Sequence, residues 1–175
     1  MRAMRNIEAV SCIRFKEATP DQPYYMNITG RDGGCSSSVG FQKRVQTYNL
    51  QVYPLDSGCF RIGTIMHELL HTLGFYHMQS SAERDEYVRI AKENIREKSL
   101  HNFNKYDENF VDAYDEEYDY GSVMHYSAFA FSKNGEMTII PLKEEQAAGI
   151  MGQRRELSKG DINRLNTMYR CPLGA

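Results

Sequence analysis

The sequence predicts an α+β fold, and three observations carry that prediction. Apolar residues recur at helical spacing at Ile62, Ile65, Met66, Leu69 and Leu73, and again at Ile162, Leu165 and Met168 or Tyr169. Two runs rich in aromatic or β-branched residues, 24–29 and 45–53, read as strands. The chain of 175 residues is long enough for one domain with a proper core, and no internal repeat or low-complexity tract divides it.

Taken in order, residues 3–15 read as the end of an amphipathic helix, with Ala3, Ile7, Val10 and Ile13 or Arg14 on its period. Pro20 and Pro23 break that pattern before the first strand. The Gly/Ser-rich stretch 30–40 reads as a loop or bulged edge, and its glycines lack phosphate-binding spacing. Asp56, Ser57 and Gly58 are start signals for the helix that follows, and Gly74 is its stop signal. Residues 87–90 read as a short strand or turn, and residues 94–106 as a helix carrying His101 as an ordinary surface or semi-buried histidine. The acidic stretch 107–119 reads as a solvated loop, because its spacing is not that of an EF-hand. Residues 129–131 and 137–140 flank Lys133-Asn134-Gly135-Glu136 and read as a hairpin. The last helix opens at Ser158-Lys159-Gly160-Asp161, a capping-box-like start.

Composition excludes several classes. The net charge of −2 gives no large basic footprint for nucleic acid. No apolar run approaches membrane-spanning length, and the first residues contain no signal-peptide core. Cys12, Cys35, Cys59 and Cys171 are even in number and widely spaced, without a C-x-x-C pair. Two disulfides among them imply an oxidising compartment, and three connectivities are open. Asn27-Ile28-Thr29 is a glycosylation sequon inside a strand-like run. A secreted protein whose targeting segment lies outside this chain is the expectation.

The chemistry concentrates in His67-Glu68-Leu69-Leu70-His71-Thr72-Leu73-Gly74-Phe75-Tyr76-His77. On a helix, His67 and His71 project from one face, about 6 Å apart along the axis at ~1.5 Å per residue. Two imidazoles in that register can hold one metal ion. Glu68 lies roughly 100° round from His67, so its carboxylate can reach a metal-bound water without being a ligand. Once Gly74 ends the helix, the chain turns back and His77 supplies a third nitrogen. Three nitrogen ligands with an open fourth position make a catalytic zinc site rather than a structural one. Five specified positions, each below one in ten by composition, give under roughly 10⁻³ chance matches, so incidental histidines on a buried helix are a poor account.

The H-E-x-x-H-x-x-G-x-x-H pattern followed by a Met-turn is the known pattern of the metzincins. Gly121-Ser122-Val123-Met124-His125-Tyr126 downstream of it resembles the Met-turn of the astacin family of metallopeptidases. Further matches to that family are Cys12-Ile13-Arg14-Phe15, Gly34-Cys35-Ser36-Ser37-Ser38-Val39-Gly40, Gly63-Thr64-Ile65, Arg84-Asp85 and Ile150-Met151-Gly152-Gln153-Arg154. The resemblance covers essentially the whole chain. It implies a zincin-like fold in one domain, residues 1–175. A twisted mixed sheet with the active-site helix would occupy an upper subdomain, about 1–77. A mostly irregular lower subdomain, about 78–175, would end in a helix. It also implies the pairs Cys12–Cys171 and Cys35–Cys59, which spacing alone could not choose.

By the same resemblance, one zinc ion is held by His67, His71 and His77. Glu68 is the general base that takes a proton from water and returns it to the leaving amine. Met124 is an apolar floor under the ligands, His125 is structural, and Tyr126 is a distant fifth ligand that swings to stabilise the oxyanion. Arg154 best matches the family's basic pocket residue, which implies a preference for acidic residues after the scissile bond. The expected partners are a protein or peptide substrate and no nucleic acid, with the chain monomeric.

Three positions depart from the family pattern. Met78 stands where the family usually has Glu, and Ser81 and Glu83 stand where Arg and Asp are usual. Met78 cannot form an ion pair with a freed N-terminus, which puts that mode of activation in doubt. The chain also begins inside what resembles the family's first long helix. Another metzincin group, a zinc-binding module without catalysis, and a poorly active truncated form are the alternatives. Retention of Glu68 and Tyr126 argues against a pure scaffold, which needs neither.

Overall fold

The computed structural model describes residues 1–143 and 145–172. The chain divides into two units, Met1–Phe75 with Arg154–Ala175 and Tyr76–Gln153. The C-terminal helix lies within the first unit. The covalent reason is Cys12–Cys171, which ties the two ends of the chain together within that unit.

In the first unit, helix α1 spans Arg2–Ala9 and buries Ala3 and Ile7, as its periodicity predicts, but it stops before Val10. Strands β1 (Met26–Thr29), β2 (Cys35–Ser37) and β3 (Gln46–Leu50) form one sheet in the order β1-β3-β2. The sheet is mixed: β1 runs parallel to β3, with Met26 opposite Gln46, and β2 runs antiparallel to it, with Cys35 opposite Leu50.

Part of the Gly/Ser-rich stretch is thus an edge strand, and two polar side chains explain why. Asn49 Nδ2 donates to the carbonyls of Arg31 and Gly34, and its Oδ1 accepts from Thr29 Oγ1 and Arg31 N–H. Gln51 Oε1 accepts from Gly34 N–H, so the glycine loop is tied down on both sides. Cys35–Cys59 then links β2 to the turn at Gly58–Phe60 that precedes the next helix.

Helix α2 spans Ile62–Thr72. Its N-cap is Arg61 with no side-chain cap, so Asp56 and Ser57 do not start it. One of its orphan N-terminal donors, Gly63 N–H, instead reaches the carbonyl of Arg154 at 3.1 Å. Met66, Leu69 and Leu70 are fully buried, and β3 contributes Tyr48, whose hydroxyl donates to Ile65 O at 2.7 Å. Helix α3 spans Lys159–Met168 and opens with the expected capping box between Ser158 and Asp161. Of its apolar stripe Leu165 is fully buried, Ile162 and Met168 are half-buried and Tyr169 is exposed.

The second unit holds little regular structure. Strands β4 (Val88–Ile90) and β5 (Ile139–Pro141) pair antiparallel, and the rest is turns and short 3-10 segments. Its core is Met78, Val88, Ile95, Phe103, Tyr118, Tyr120, Ala128, Ile139, Ala147 and Met151. The helix expected over 94–106 is replaced by 3-10 turns at Lys92–Asn94 and Glu97–Phe103. Ile95 is extended between them and bridges to Ser132, which interrupts any continuous helix.

The hairpin expected around Lys133–Glu136 does not form a ladder. Ile139 pairs instead with the distant Ile90, while Thr138 Oγ1 caps the carbonyls of Ala128 and Ala130. In the acidic stretch, Asp107 and Asp112 accept from backbone N–H groups two residues on, as loop residues do. His101 is exposed. Among the described residues, no helix is long and apolar enough to cross a membrane.

Candidate zinc centre

The site's first part is the buried face of α2. His67, Glu68 and His71 are 5, 6 and 7% exposed. The two imidazole rings lie edge to face, 4.6 Å between centroids, as the four-residue helical step requires. His71 Nδ1 donates to the carbonyl of Phe75 at 2.7 Å. A carbonyl only accepts, so the proton sits on Nδ1 and Nε2 keeps its lone pair, the tautomer a metal ligand needs. Burial also holds the His71 pKa below its usual value and keeps the ring neutral.

That hydrogen bond exists because the helix ends where it does. Gly74 adopts φ 109°, Gly74 N–H donates to His71 O, and Phe75 N–H donates to Leu70 O. A side chain at this left-handed position would be strained and would also meet Met168 Cε at 2.6 Å. The reversal delivers His77. The ligating atoms of His67, His71 and His77 all lie within 4.8 Å of one another, and among the described residues this is the one such cluster of His, Cys, Asp or Glu. The donor set fits zinc: three imidazoles, one with its tautomer fixed by a backbone carbonyl, and no thiolate to close the shell.

Glu68 is the buried carboxylate beside the first histidine. Burial pushes its pKa up to about 7, and the charge of Arg154 pulls the other way. Arg154 is therefore close enough in the first unit to act electrostatically on both Glu68 and His71. It is half-buried, whereas Arg155 is exposed.

The second unit supplies a separate set of contacts around the turn that follows Asp119. Ser122 N–H donates to Asp119 O, and Met124 N–H donates to Ser122 Oγ. Met124 is 2% exposed, and its carbonyl accepts from Met78 N–H, next to His77. His125 is fully buried: its Nδ1 donates to Tyr126 O, and its Nε2 accepts from Tyr118 OH at 2.7 Å. Tyr126 packs on the His77 ring, 4.4 Å between centroids.

Sequence reasoning missed the residues that hold Tyr126. Gln79 Oε1 accepts from Tyr126 N–H at 3.2 Å, and the rings of Phe103 and Phe131 flank the phenol at 5.8 and 5.5 Å. Gln79 and Phe103 lie 47 and 23 residues from Tyr126 and had no short-range signal, while Phe131 is five residues on, at neither helical nor strand spacing from it. Met78, at the position where the family has Glu, is an 8% exposed member of the core.

Comparison with known proteins places the chain. The Astacin peptidase family model matches residues 1–170. Seminal metalloprotease 1 of Drosophila melanogaster is 49% identical over 175 residues, covering 98% of this chain and 69% of that protein. Meprin A subunit beta of Homo sapiens is 39% identical, covering 98% of this chain and 23% of that one. Among solved structures, high choriolytic enzyme 1, a hatching enzyme zinc-protease from Oryzias latipes, superposes with a TM-score of 0.84 at 37% identity. That match covers 98% of this chain and 80% of the other. Myroilysin, at 20% identity and a TM-score of 0.69, shares the fold. A zinc-binding histidine cluster on an α+β scaffold and a family match along nearly the whole chain lead to one conclusion: this chain belongs to the astacin family of zinc metalloendopeptidases.

Proposed function

We propose that this chain is a secreted endopeptidase that uses Glu68 as general base and Tyr126 as oxyanion donor, and that it prefers acidic residues after the scissile bond. A zinc ion held by His67, His71 and His77 would supply Lewis-acid polarisation of the peptide carbonyl and a more acidic water. The observation that carries the reading is the burial of Glu68 immediately beside the first of three clustered histidines.

The chain's own residues suit the remaining work. Glu68 has a carboxyl poised near neutrality, so it can take a proton from the attacking water and return it to the leaving amine. The Tyr126 phenol, on a ring packed against His77, can donate a hydrogen bond to charge that develops on the carbonyl oxygen. The Arg154 guanidinium offers a substrate carboxylate a charge-assisted partner. Cys12–Cys171 and Cys35–Cys59, with no free cysteine, suit an oxidising extracellular environment.

A peptide-library digest by the zinc-loaded protein tests the reading, with a chelator control and a Glu68→Ala variant. Glu68→Ala is expected to keep one zinc per chain and lose at least ~10²-fold in turnover, the scale of lost general-base catalysis. Near-normal turnover by that zinc-loaded variant would remove Glu68 from the role.

A further inference from the structure

Within the second unit, a pocket of about 310 Å³ is lined by Arg84, Lys92, Leu100, His101, Phe103, Asn104 and Lys105. Its chemistry is two-sided. Phe103 is a core residue at 3% exposed and Leu100 is 37% exposed, which gives an apolar wall. Around it stand the cations Arg84, Lys92 and Lys105.

Arg84 is the built part of this pocket. It is 7% exposed, and its Nη1 donates to the carbonyls of Gln79 and Phe103. Its Nε donates to Asp85 Oδ1, which leaves Nη2 as the remaining donor edge of the guanidinium. Among the described residues, Asp85 is the one carboxylate engaged by these cations, since it also accepts from Lys105 Nζ at 2.7 Å. Lys92 makes no ion pair among the described residues. Fixed positive charge thus exceeds negative at a pocket with one hydrophobic wall.

We propose that this pocket is a subsite for a peptide carboxylate carried on an apolar stem, either an acidic side chain or a C-terminal residue. A carboxylate gains charge-assisted hydrogen bonds from the Arg84 edge and Lys92. Its stem covers Leu100 and Phe103, which a bare inorganic anion leaves wet. Phe103 also meets the Tyr126 ring edge to face at 5.8 Å, so an occupant would press on the residue that flanks Tyr126. The inference stands apart from the proposed catalytic roles, because its test reads binding and not turnover.

The test is residue-resolved NMR on the zinc-loaded protein with four probes. N-acetyl-leucine carries a terminal carboxylate, N-acetylglutamic acid α-amide a side-chain carboxylate, N-acetyl-leucine amide no charge, and sodium sulfate no stem. At least one carboxylate probe is expected to shift the amides of Lys92, His101, Asn104 and Lys105, and the tighter of the two identifies the source. Lys92→Glu is expected to weaken that binding about 10-fold or more, the low end of a charge-assisted contact. Lys105→Ala serves as a second variant, and thermal melts check that both fold.

Four outcomes would overturn the proposal. Equal shifts with the uncharged amide would make the pocket merely apolar. Sulfate binding as well as the carboxylates would mean an adventitious ion only. Shifts confined to residues 67–77 and Tyr126 would place the carboxylate at the zinc centre, and affinity unchanged in both lysine variants would show that the pocket's cations do not hold it.

Discussion

The backbone N–H of Gly63 donates to the carbonyl of Arg154 at 3.1 Å, and a Cβ at residue 63 would lie 2.1 Å from the Arg154 carbonyl carbon. No real Cβ tolerates that distance, and the obstructing atoms are backbone. The first turn of the zinc helix and the segment carrying Arg154 are therefore held together by the absence of a side chain. Gly63→Ala must push the two apart, losing the hydrogen bond as well as the fit. A loss of about 2–4 kcal/mol is expected, combining overpacking with one broken hydrogen bond. Urea denaturation of the variant checks it, and a change under about 0.5 kcal/mol, the range of an ordinary surface substitution, would show that the contact yields freely.

Arg154 acts electrostatically on Glu68 and His71, which places its charge near the buried Glu68 carboxylate. Arg154→Ala is expected to reduce the preference for Asp or Glu after the scissile bond by roughly 10- to 150-fold, equivalent to about 1.5–3 kcal/mol for a charge-assisted contact. Added salt should weaken the same preference in the unaltered protein. Competitive digestion of matched acidic and neutral peptides measures both effects. An unchanged ratio in the variant would assign the acidic preference elsewhere.

The Tyr126 ring is fixed by Gln79 through its backbone and by the rings of His77, Phe103 and Phe131. Tyr126→Phe keeps every one of those ring contacts and deletes the hydroxyl alone. Its effect should fall on kcat, with KM little changed, because the proposed oxyanion hydrogen bond would be made mainly in the transition state. Steady-state kinetics on one peptide suffice. A pure KM effect would make the hydroxyl a substrate-binding group instead.

The two disulfides close loops of very different length, with sequence separations of 159 and 24 residues. Loop-closure entropy assigns about 5 kcal/mol to Cys12–Cys171 and about 3 kcal/mol to Cys35–Cys59. Replacing both cysteines of a pair with alanine should therefore cost more stability for the first pair. Denaturant midpoints of the two double variants decide the order. The reverse order would show that Cys35–Cys59, which anchors β2, matters through the native state.

Short-range pattern determined much of this protein. The zinc helix, its termination at Gly74 and the capping box at Ser158 all depend on residues within one or two turns of each other, so they were legible in the chain. The family match also followed from short motifs, because the chemistry keeps them contiguous.

Other features depended on partners distant in sequence. The start of α2 is set by Arg154 and not by Asp56 or Ser57, because a backbone carbonyl from the far end of the chain satisfies Gly63 N–H. The expected hairpin gave way to the pairing of β5 with β4, and Ile95 was drawn out of a helix to bridge Ser132. C-terminal helix α3 joined the first unit, with Cys12–Cys171 as a covalent tie. Local propensity is a small preference per residue, and a buried hydrogen bond or strand pairing to a remote segment outweighs it. The histidine cluster that could hold zinc was therefore written in eleven consecutive residues of helix and turn. The contacts of Tyr126 with Gln79 and Phe103, 47 and 23 residues away, existed only once the chain had folded.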